Sequence, residues 1–216
     1  MKQKRILALV LCLAMILPLA GCSGAFGGGK KANVELLEAP VIKSVSTRDG
    51  YVRIEWEAVT GAEHYRVLRK LGDGNWTQIG DTTKLVFQDK NVQNGTKYLY
   101  TVCCVSADGK TVTSKYDEQG KARVYRDTPT LVSVQNISGG VYITWNAVDG
   151  VSNYRVSRKA EGEKEWTNIG TTGDTNFYDT SVVPGTTYAY TVRGISKDGK
   201  STLTYFNTKG LSLKAE

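Results

Sequence analysis

The chain has 216 residues, 28 Lys+Arg against 21 Asp+Glu for a formal charge of +7, one His and four Cys. This length allows one large domain or two small ones, and 40% hydrophobic with 23% charged residues is the balance of a folded protein. The single His excludes zinc sites built on two His ligands and leaves any Ser-His-Asp or Cys-His unit one location, while twelve Tyr and four Trp against four Pro point to strands.

Lys2, Lys4 and Arg5 precede an apolar run from Ile6 to Leu17, and no acidic residue occurs before Cys22. The run has the length of a signal-peptide core and is shorter than the roughly 20 residues of a spanning helix. Pro18 breaks it, and Leu19-Ala20-Gly21-Cys22 follows. This order of charge, apolar core and small residues before a Cys resembles the signal and lipobox of bacterial lipoproteins. The resemblance implies that residues 1–21 are a signal peptide cut off just before Cys22, and that a diacylglyceryl lipid on the Cys22 thiol is the contact with the membrane. It places the protein at the cell membrane, lipid-anchored and facing outside the cytoplasm. An ordinary secretory signal with an incidental Cys22 is the alternative. Two acyl chains, at ~0.8 kcal/mol per buried CH₂, anchor stably where one does so marginally.

Without residues 1–21 the chain carries +4 rather than +7, so much of the basicity belongs to the leader. Residues 22–38 read as a tether, with Gly24, Gly27, Gly28 and Gly29. Its mean reach is about 23 Å and its limit about 60 Å. Val34, Leu36 and Leu37 make its end apolar enough to pack locally.

The remainder is one unit written twice. Between Val52–Lys70 and Val141–Lys159, 11 of 19 positions are identical at an offset of 89. After a one-residue insertion, Trp76, Phe87, Asp89, Gly95, Tyr98, Tyr100, Val102, Asp108 and Gly109 meet their equals 90 residues on. Such a period is too long for a solenoid repeat and suits tandem domains. We expect one domain over 39–126 and another over 127–216, with Asp127-Thr128 as a junction short enough to limit rotation.

Apolar residues alternate within each unit, as in Val52-x-Ile54-x-Trp56, Tyr65-x-Val67 and Tyr98-x-Tyr100-x-Val102-x-Cys104. A period of two is a strand signal. Gly- and Asn-rich turns such as Arg48-Asp49-Gly50 and Gln93-Asn94-Gly95 separate the runs. Strands are predicted near 40–46, 51–57, 64–70, 76–80, 85–89, 97–106 and 111–116, the last resuming near 121–125. The fold class is all-β: two tandem seven-stranded antiparallel sandwiches.

Trp closing the second strand, Tyr-x-Val on the third and Gly-Thr-x-Tyr-x-Tyr-x-Val entering the sixth resemble the fibronectin type III domain, an immunoglobulin-like sandwich. Pro184-Gly185-Thr186-Thr187-Tyr188 is close to the family's turn into the tyrosine corner, while the first copy, Gln93-Asn94-Gly95-Thr96-Lys97-Tyr98, lacks the Pro. The resemblance implies that Tyr98 and Tyr188 hydrogen-bond backbone at that corner. It implies nothing about a ligand, because the motif residues belong to the core.

Several residues invite a functional reading. Trp56 and Trp145 point inward and read as core. Trp76 and Trp166 begin a strand near a sheet edge and are candidates for ligand stacking. Cys103 and Cys104 are adjacent, so they face opposite sides of one strand and cannot easily pair with each other. Cys104 is expected inward, where the second copy has Gly194. Cys103 is expected outward, where the second copy has Arg193, as a free thiol or an intermolecular disulfide. Arg66, Leu68 and Lys70, with Arg155, Ser157, Lys159 and Arg193, are expected to make one outer face basic in both copies. Such a face is either a solvated surface or one attracted to anionic wall polymer or lipid head groups. Nucleic acid is not expected as a partner.

His64 has Asn153 as its counterpart and no repeated acid or nucleophile beside it in sequence. Asp73-Gly74-Asn75 lacks the further ligands of a calcium loop. No metal-ligand or cofactor-binding pattern occurs. The expected function is therefore non-catalytic: a membrane-anchored binding, adhesion or spacer module at the bacterial cell surface, with an envelope protein or a cell-wall or glycan polymer as partner. A carbohydrate-binding accessory of a glycan-degrading system is the alternative, with Trp76, Trp166, Tyr178 and Tyr205 as candidates. A hydrolase would need His64 beside an acid and a nucleophile in a cleft.

Overall fold

The structure, a computed structural model, describes residues 36–216, so residues 1–35, with Cys22 and most of the tether, lie outside the described residues. Among the described residues the regular structure is all β, and no helix is long and apolar enough to cross a membrane. The first sandwich comprises β1 (Ile42–Arg48), β2 (Tyr51–Trp56), β3 (His64–Leu71), β4 (Thr77–Thr82), β5 (Val86–Asp89), β6 (Lys97–Val105) and β7 (Lys121–Val124). The second comprises β8 (Leu131–Ile137), β9 (Gly140–Trp145), β10 (Asn153–Ala160), β11 (Thr167–Thr172), β12 (Asn176–Asp179), β13 (Thr187–Ile195) and β14 (Leu211–Lys214). Each packs a three-stranded sheet, in order β1-β2-β5 or β12-β9-β8, on a four-stranded one, β4-β3-β6-β7 or β11-β10-β13-β14. Two seven-stranded antiparallel sandwiches are thus the architecture that alternation and repeat predict.

One predicted strand is not formed. Residues 111–116 make only single bridges, Val105 with Val112 and Leu37 with Ser114, and the regular seventh strand is β7. The ladder stops because the Cys104 N–H donates to Ser114 Oγ at 2.8 Å rather than to a carbonyl. Thr204 Oγ1 takes the Gly194 N–H at the same distance in the second copy. The chain between β6 and β7 then folds back over the outer face of the four-stranded sheet.

Period two delivers the core. Val52, Ile54 and Trp56 are buried, while Tyr51, Arg53 and Glu55 on the other face are partly exposed. Trp56 stands edge-on to Tyr65 at 5.6 Å between centroids, and Trp145 to Tyr154 at 5.5 Å. Volume is conserved across the repeat by exchange: Cys104 packs in the cluster that Ala62 borders, whereas Gly194 faces Val151 so closely that a Cβ would lie 2.7 Å from it. Both tryptophan indole N–H groups are buried without an acceptor.

Each core also contains a charge. Arg69 donates to both Asp89 oxygens at 3.1 and 2.8 Å, and the Tyr100 hydroxyl donates to Asp89 at 2.9 Å. Arg158, Asp179 and Tyr190 repeat the triad, with Ser181 donating to Asp179 through its N–H and hydroxyl. The Asp89 and Asp179 side chains are 4% and 2% exposed. Burial alone would raise the Asp179 carboxyl, but hydrogen bonds from Ser181 and Arg158 outweigh it and hold the group below its ordinary range. Burial, reinforced by the Asp179 charge, raises the Tyr190 hydroxyl, which stays protonated and donates.

Two outcomes follow from this core. Trp145→Phe loses area but no hydrogen bond and is expected to cost under about 2 kcal/mol, against about 3–5 for Trp145→Ala. Denaturant unfolding measures both, and equal losses would contradict the unpaired indole. For Asp179, a carboxyl depressed in the folded state contributes stability above its unfolded pKa of about 4, and that contribution disappears as pH falls through the lower folded value. Glu55, Asp108 and Asp198 shift the same way, but Glu55 belongs to the first sandwich and is partly exposed, and Asp108 and Asp198 are exposed in turns. Calorimetry from pH 7 to 2.5 should show the second sandwich losing melting temperature below about pH 4. Asp179→Asn should start lower by about 3 kcal/mol, because Arg158 is left unpaired, and should lose less on acidification.

Candidate functional site on the outer faces of the four-stranded sheets

The register of β3 with its two neighbours sets Asp81, Arg66 and Cys103 in a row across the outer face of the first sandwich. Arg66 grips Asp81 with two nitrogens, Nε at 2.9 and Nη2 at 2.8 Å, and Nη2 also donates to the Gly109 carbonyl at 2.6 Å. Gln78 adds a third donor to the carboxylate. Two oxygens on two guanidinium nitrogens are the strong, planar form of this pair.

The equivalent row in the second sandwich is Thr171, Arg155 and Arg193. Arg155 keeps the bond to the loop carbonyl, here Gly199 at 3.1 Å. Arg193 lies over the Phe206 ring, 4.2 Å from its centroid. Burial first, and then the charge of Arg155, lowers the Arg193 pKa.

Both loops reach their arginine through the same turn. Ser106 Oγ donates to Asp108 at 2.6 Å, and Asp108 accepts from Lys110 N and Ser106 Oγ from Thr111 N. Ser196, Asp198, Lys200 and Ser201 repeat these bonds. The face expected to be basic in both copies differs between them: Arg66 is paired with Asp81, while Arg155 and Arg193 stand side by side. Ser157, expected outward, is buried under the returning chain.

Cys103 is also displaced from expectation. It lies on the outer side of β6, opposite Arg66, yet is only 2% exposed. The alternation gave its direction correctly. Its burial on that side leaves no periodic trace. Burial pushes its thiol up to about 11, with Arg66 opposing, and both Cys103 and Cys104 are unpaired.

Trp76 and Trp166 are half-buried and occupied by the chain itself. Lys70 and Lys159 place their ammonium groups 4.8 and 5.0 Å from the ring centroids. Gly120 and Gly210, at φ of 65° and 71°, lie directly against them: a Cβ there would come within 2.6 and 2.8 Å of the indoles. Trp166 meets Phe206 edge-on at 6.4 Å, and Phe206 meets Tyr205 at 5.1 Å. Tyr178 belongs to β12 of the other sheet, so the four candidate aromatics do not share one surface. Tyr98 and Tyr188 make the corner bonds the resemblance implies, accepting from Gln93 N at 2.9 Å and Val183 N at 3.2 Å.

His64 lines a cavity of about 500 Å³ with Glu63, Ser106 and the end of the tether at Leu37. An acid and a hydroxyl thus surround the same space. The Ser106 proton, however, is given to Asp108, and its oxygen accepts from Thr111 N. No nucleophile–base hydrogen bond links it to His64, and among the described residues no group of three His, Cys, Asp or Glu side chains gathers as for a metal. The residues that shape the outer face and escaped sequence reasoning are Asp81 and Phe206. Asp81 sits 15 positions from its partner with no counterpart in the repeat, and Phe206 lies in the stretch expected to correspond to a strand.

No family model matches the chain. Exoglucanase B of Cellulomonas fimi is 29% identical over 179 residues, covering 74% of this chain and 15% of that enzyme, so the chain spans only a small part of its relative. Among solved structures, a two-domain fibronectin type III segment of chicken tenascin is 19% identical, covering 82% of this chain and 99% of that one, at a TM-score of 0.38. The chicken CNTN1 FN1-FN3 domains are 16% identical, covering 84% and 68%, at a TM-score of 0.41.

Because the thiolate is the reactive form, buried thiols whose pKa is raised by burial should be inert. Iodoacetamide at pH 8 is expected to leave Cys103 and Cys104 unmodified in the native protein and to label both in urea, as read by peptide mass mapping. Native labelling of Cys103 at the rate of a free thiol would show that the returning segment opens.

Proposed function

We propose that the protein is a membrane-anchored, extracytoplasmic lipoprotein whose two fibronectin type III-like sandwiches act as a non-catalytic binding or spacer module at the cell envelope. The observation that carries this reading is the pairing of a lipobox at Cys22 with sandwiches whose repeated polar residues serve structure. The arginines of the third strands clasp loops or core carboxylates, the corner tyrosines hold backbone, and the third-strand lysines cover tryptophans. A diacyl anchor on Cys22 and a Gly-rich tether keep such a module within tens of ångströms of the membrane. The partner class is an envelope protein, reached by loops and edge strands, or a wall or glycan polymer.

A second reading, a carbohydrate-binding accessory, is favoured by the 29% identity to part of an exoglucanase. In this reading the Trp166, Phe206 and Tyr205 cluster supplies the stacking surface. Cells given a labelled fatty acid decide the anchor: the intact protein should incorporate label and sediment with membranes, and Cys22→Ala should do neither. An unlabelled, freely secreted wild type would reject the lipoprotein reading. Retention on insoluble cellulose or on a glycan array, lost in Trp166→Ala, would favour the accessory role over the protein-binding one.

A further inference from the structure

The two outer rows differ in a way that leaves one of them incomplete. In the first sandwich Asp81 satisfies Arg66 from within the chain. In the second, Thr171 holds the position of Asp81, and the Nε–H of Arg155 is buried without a partner. Asn168, which corresponds to Gln78, turns its oxygen to Gly170 N instead of bringing a donor to a shared anion. Arg193 adds a second guanidinium where the first copy has Cys103, directly across the strand from Arg155.

Neither Arg155 nor Arg193 makes an ion pair among the described residues, where seven are formed. Like charges directly opposite across strands are destabilising. A guanidinium N–H buried without an acceptor costs more than an exposed one. At the Thr171 end of this row lies a cavity of about 280 Å³, lined by Thr171, Gly199, Asn153 and Lys197 and not by the two arginines. Its one acidic side chain, Asp198, is engaged by Ser196 and Lys200 N.

We propose that the outer face of the second sandwich is an anion-binding site, at which Arg155 and Arg193 take a carboxylate from a ligand in the place that Asp81 fills in the first sandwich. The first copy is the template: it shows that a carboxylate fits this guanidinium through Nε and Nη2 while the same Nη2 also donates to the loop carbonyl. Arg193 makes the second copy the stronger attractor, and its stacking on Phe206 restrains the side chain before a ligand arrives. The site stands independently of the lipid anchor and of any sugar stacking on Trp166.

The test uses the full chain with ¹⁵N-labelled arginine, following the Nε–Hε resonances. Titration with glutarate should shift the Arg155 and Arg193 signals saturably, and the uncharged glutaramide should not. Thr171→Asp installs the carboxylate in cis and should weaken glutarate binding about tenfold or more. Asp81→Thr should create a second glutarate response at Arg66. Arg193→Cys, which restores the residue of the first copy, should weaken binding without altering the Gly199 contact, and it keeps the test decisive if Thr171→Asp fails to fold. Equal shifts with glutaramide, an unchanged response in both Thr171→Asp and Arg193→Cys, or tighter binding of inorganic phosphate than of glutarate would each overturn the assignment.

Discussion

A carboxylate buried between two sheets sets the terms for each sandwich. Asp89 ends β5 of the three-stranded sheet, while its partners Arg69 and Tyr100 belong to β3 and β6 of the four-stranded sheet. The triad is thus a polar bolt through an otherwise apolar core, and Asp179, Arg158 and Tyr190 repeat it. Such a pair is not in itself a large source of stability, since two well-packed apolar residues often serve as well. Its weight lies in the asymmetry of loss: removing one member strands a charge in the core. The bolt also reaches the corner, because Arg69 and Arg158 lie over the rings of Tyr98 and Tyr188, 5.1 and 4.4 Å from their centroids. Register of the two sheets, path of the corner and position of β3 are therefore one constraint.

Once β3 is fixed, its outward residues are fixed too, and the repeat shows how little sequence change alters their meaning. Arg66 and Arg155 hold the same loop carbonyl from the same strand position. Two substitutions beside these arginines change the electrostatics: Asp81 closes the first row on itself, and Thr171 with Arg193 in place of Cys103 leaves the second cationic. The scaffold of the two copies is held constant while the outer row varies.

The sequence made the scaffold legible and the outer face only half so. Alternation reveals which side of a strand a residue occupies, because side-chain direction has a strict period of two, and the 89-residue repeat confirms each assignment against a second copy. That is why Trp56, Trp145, Tyr98, Tyr188 and Cys104 lie where expected. What lies over an outward residue is another matter. Cys103 and Ser157 are buried on the outer side, where the chain after β6 and β13 returns without regular strand pairing, held by Ser114 and Thr204 hydroxyls in place of carbonyls. The clasp of Arg66 on Asp81 is a contact between neighbouring strands whose register depends on a bulge at Val67/Leu68. Neither leaves a periodic signal, and a residue present in only one copy gains nothing from the repeat.

The two copies differ as well in how the returning segment is completed. In the first sandwich the end of the tether lies along it in parallel: Leu37 N donates to Thr113 O at 2.9 Å, and Lys115 N to Leu37 O at 3.0 Å. The second sandwich has no preceding strand to spare at this point. The carbonyl of Leu203, which corresponds to Thr113, is approached instead by the Arg123 guanidinium of β7 at 3.5 Å, while Arg48 lies over Tyr205 two residues on. A backbone donor in one copy is replaced by a side-chain donor in the other. That exchange leaves the Tyr205 and Phe206 stretch free to turn its rings toward Trp166 and Arg193 instead of pairing with an added strand. The composition of the second outer face, aromatic and cationic where the first is clasped and neutral, therefore follows from what precedes each sandwich in the chain as much as from the residues of the face itself.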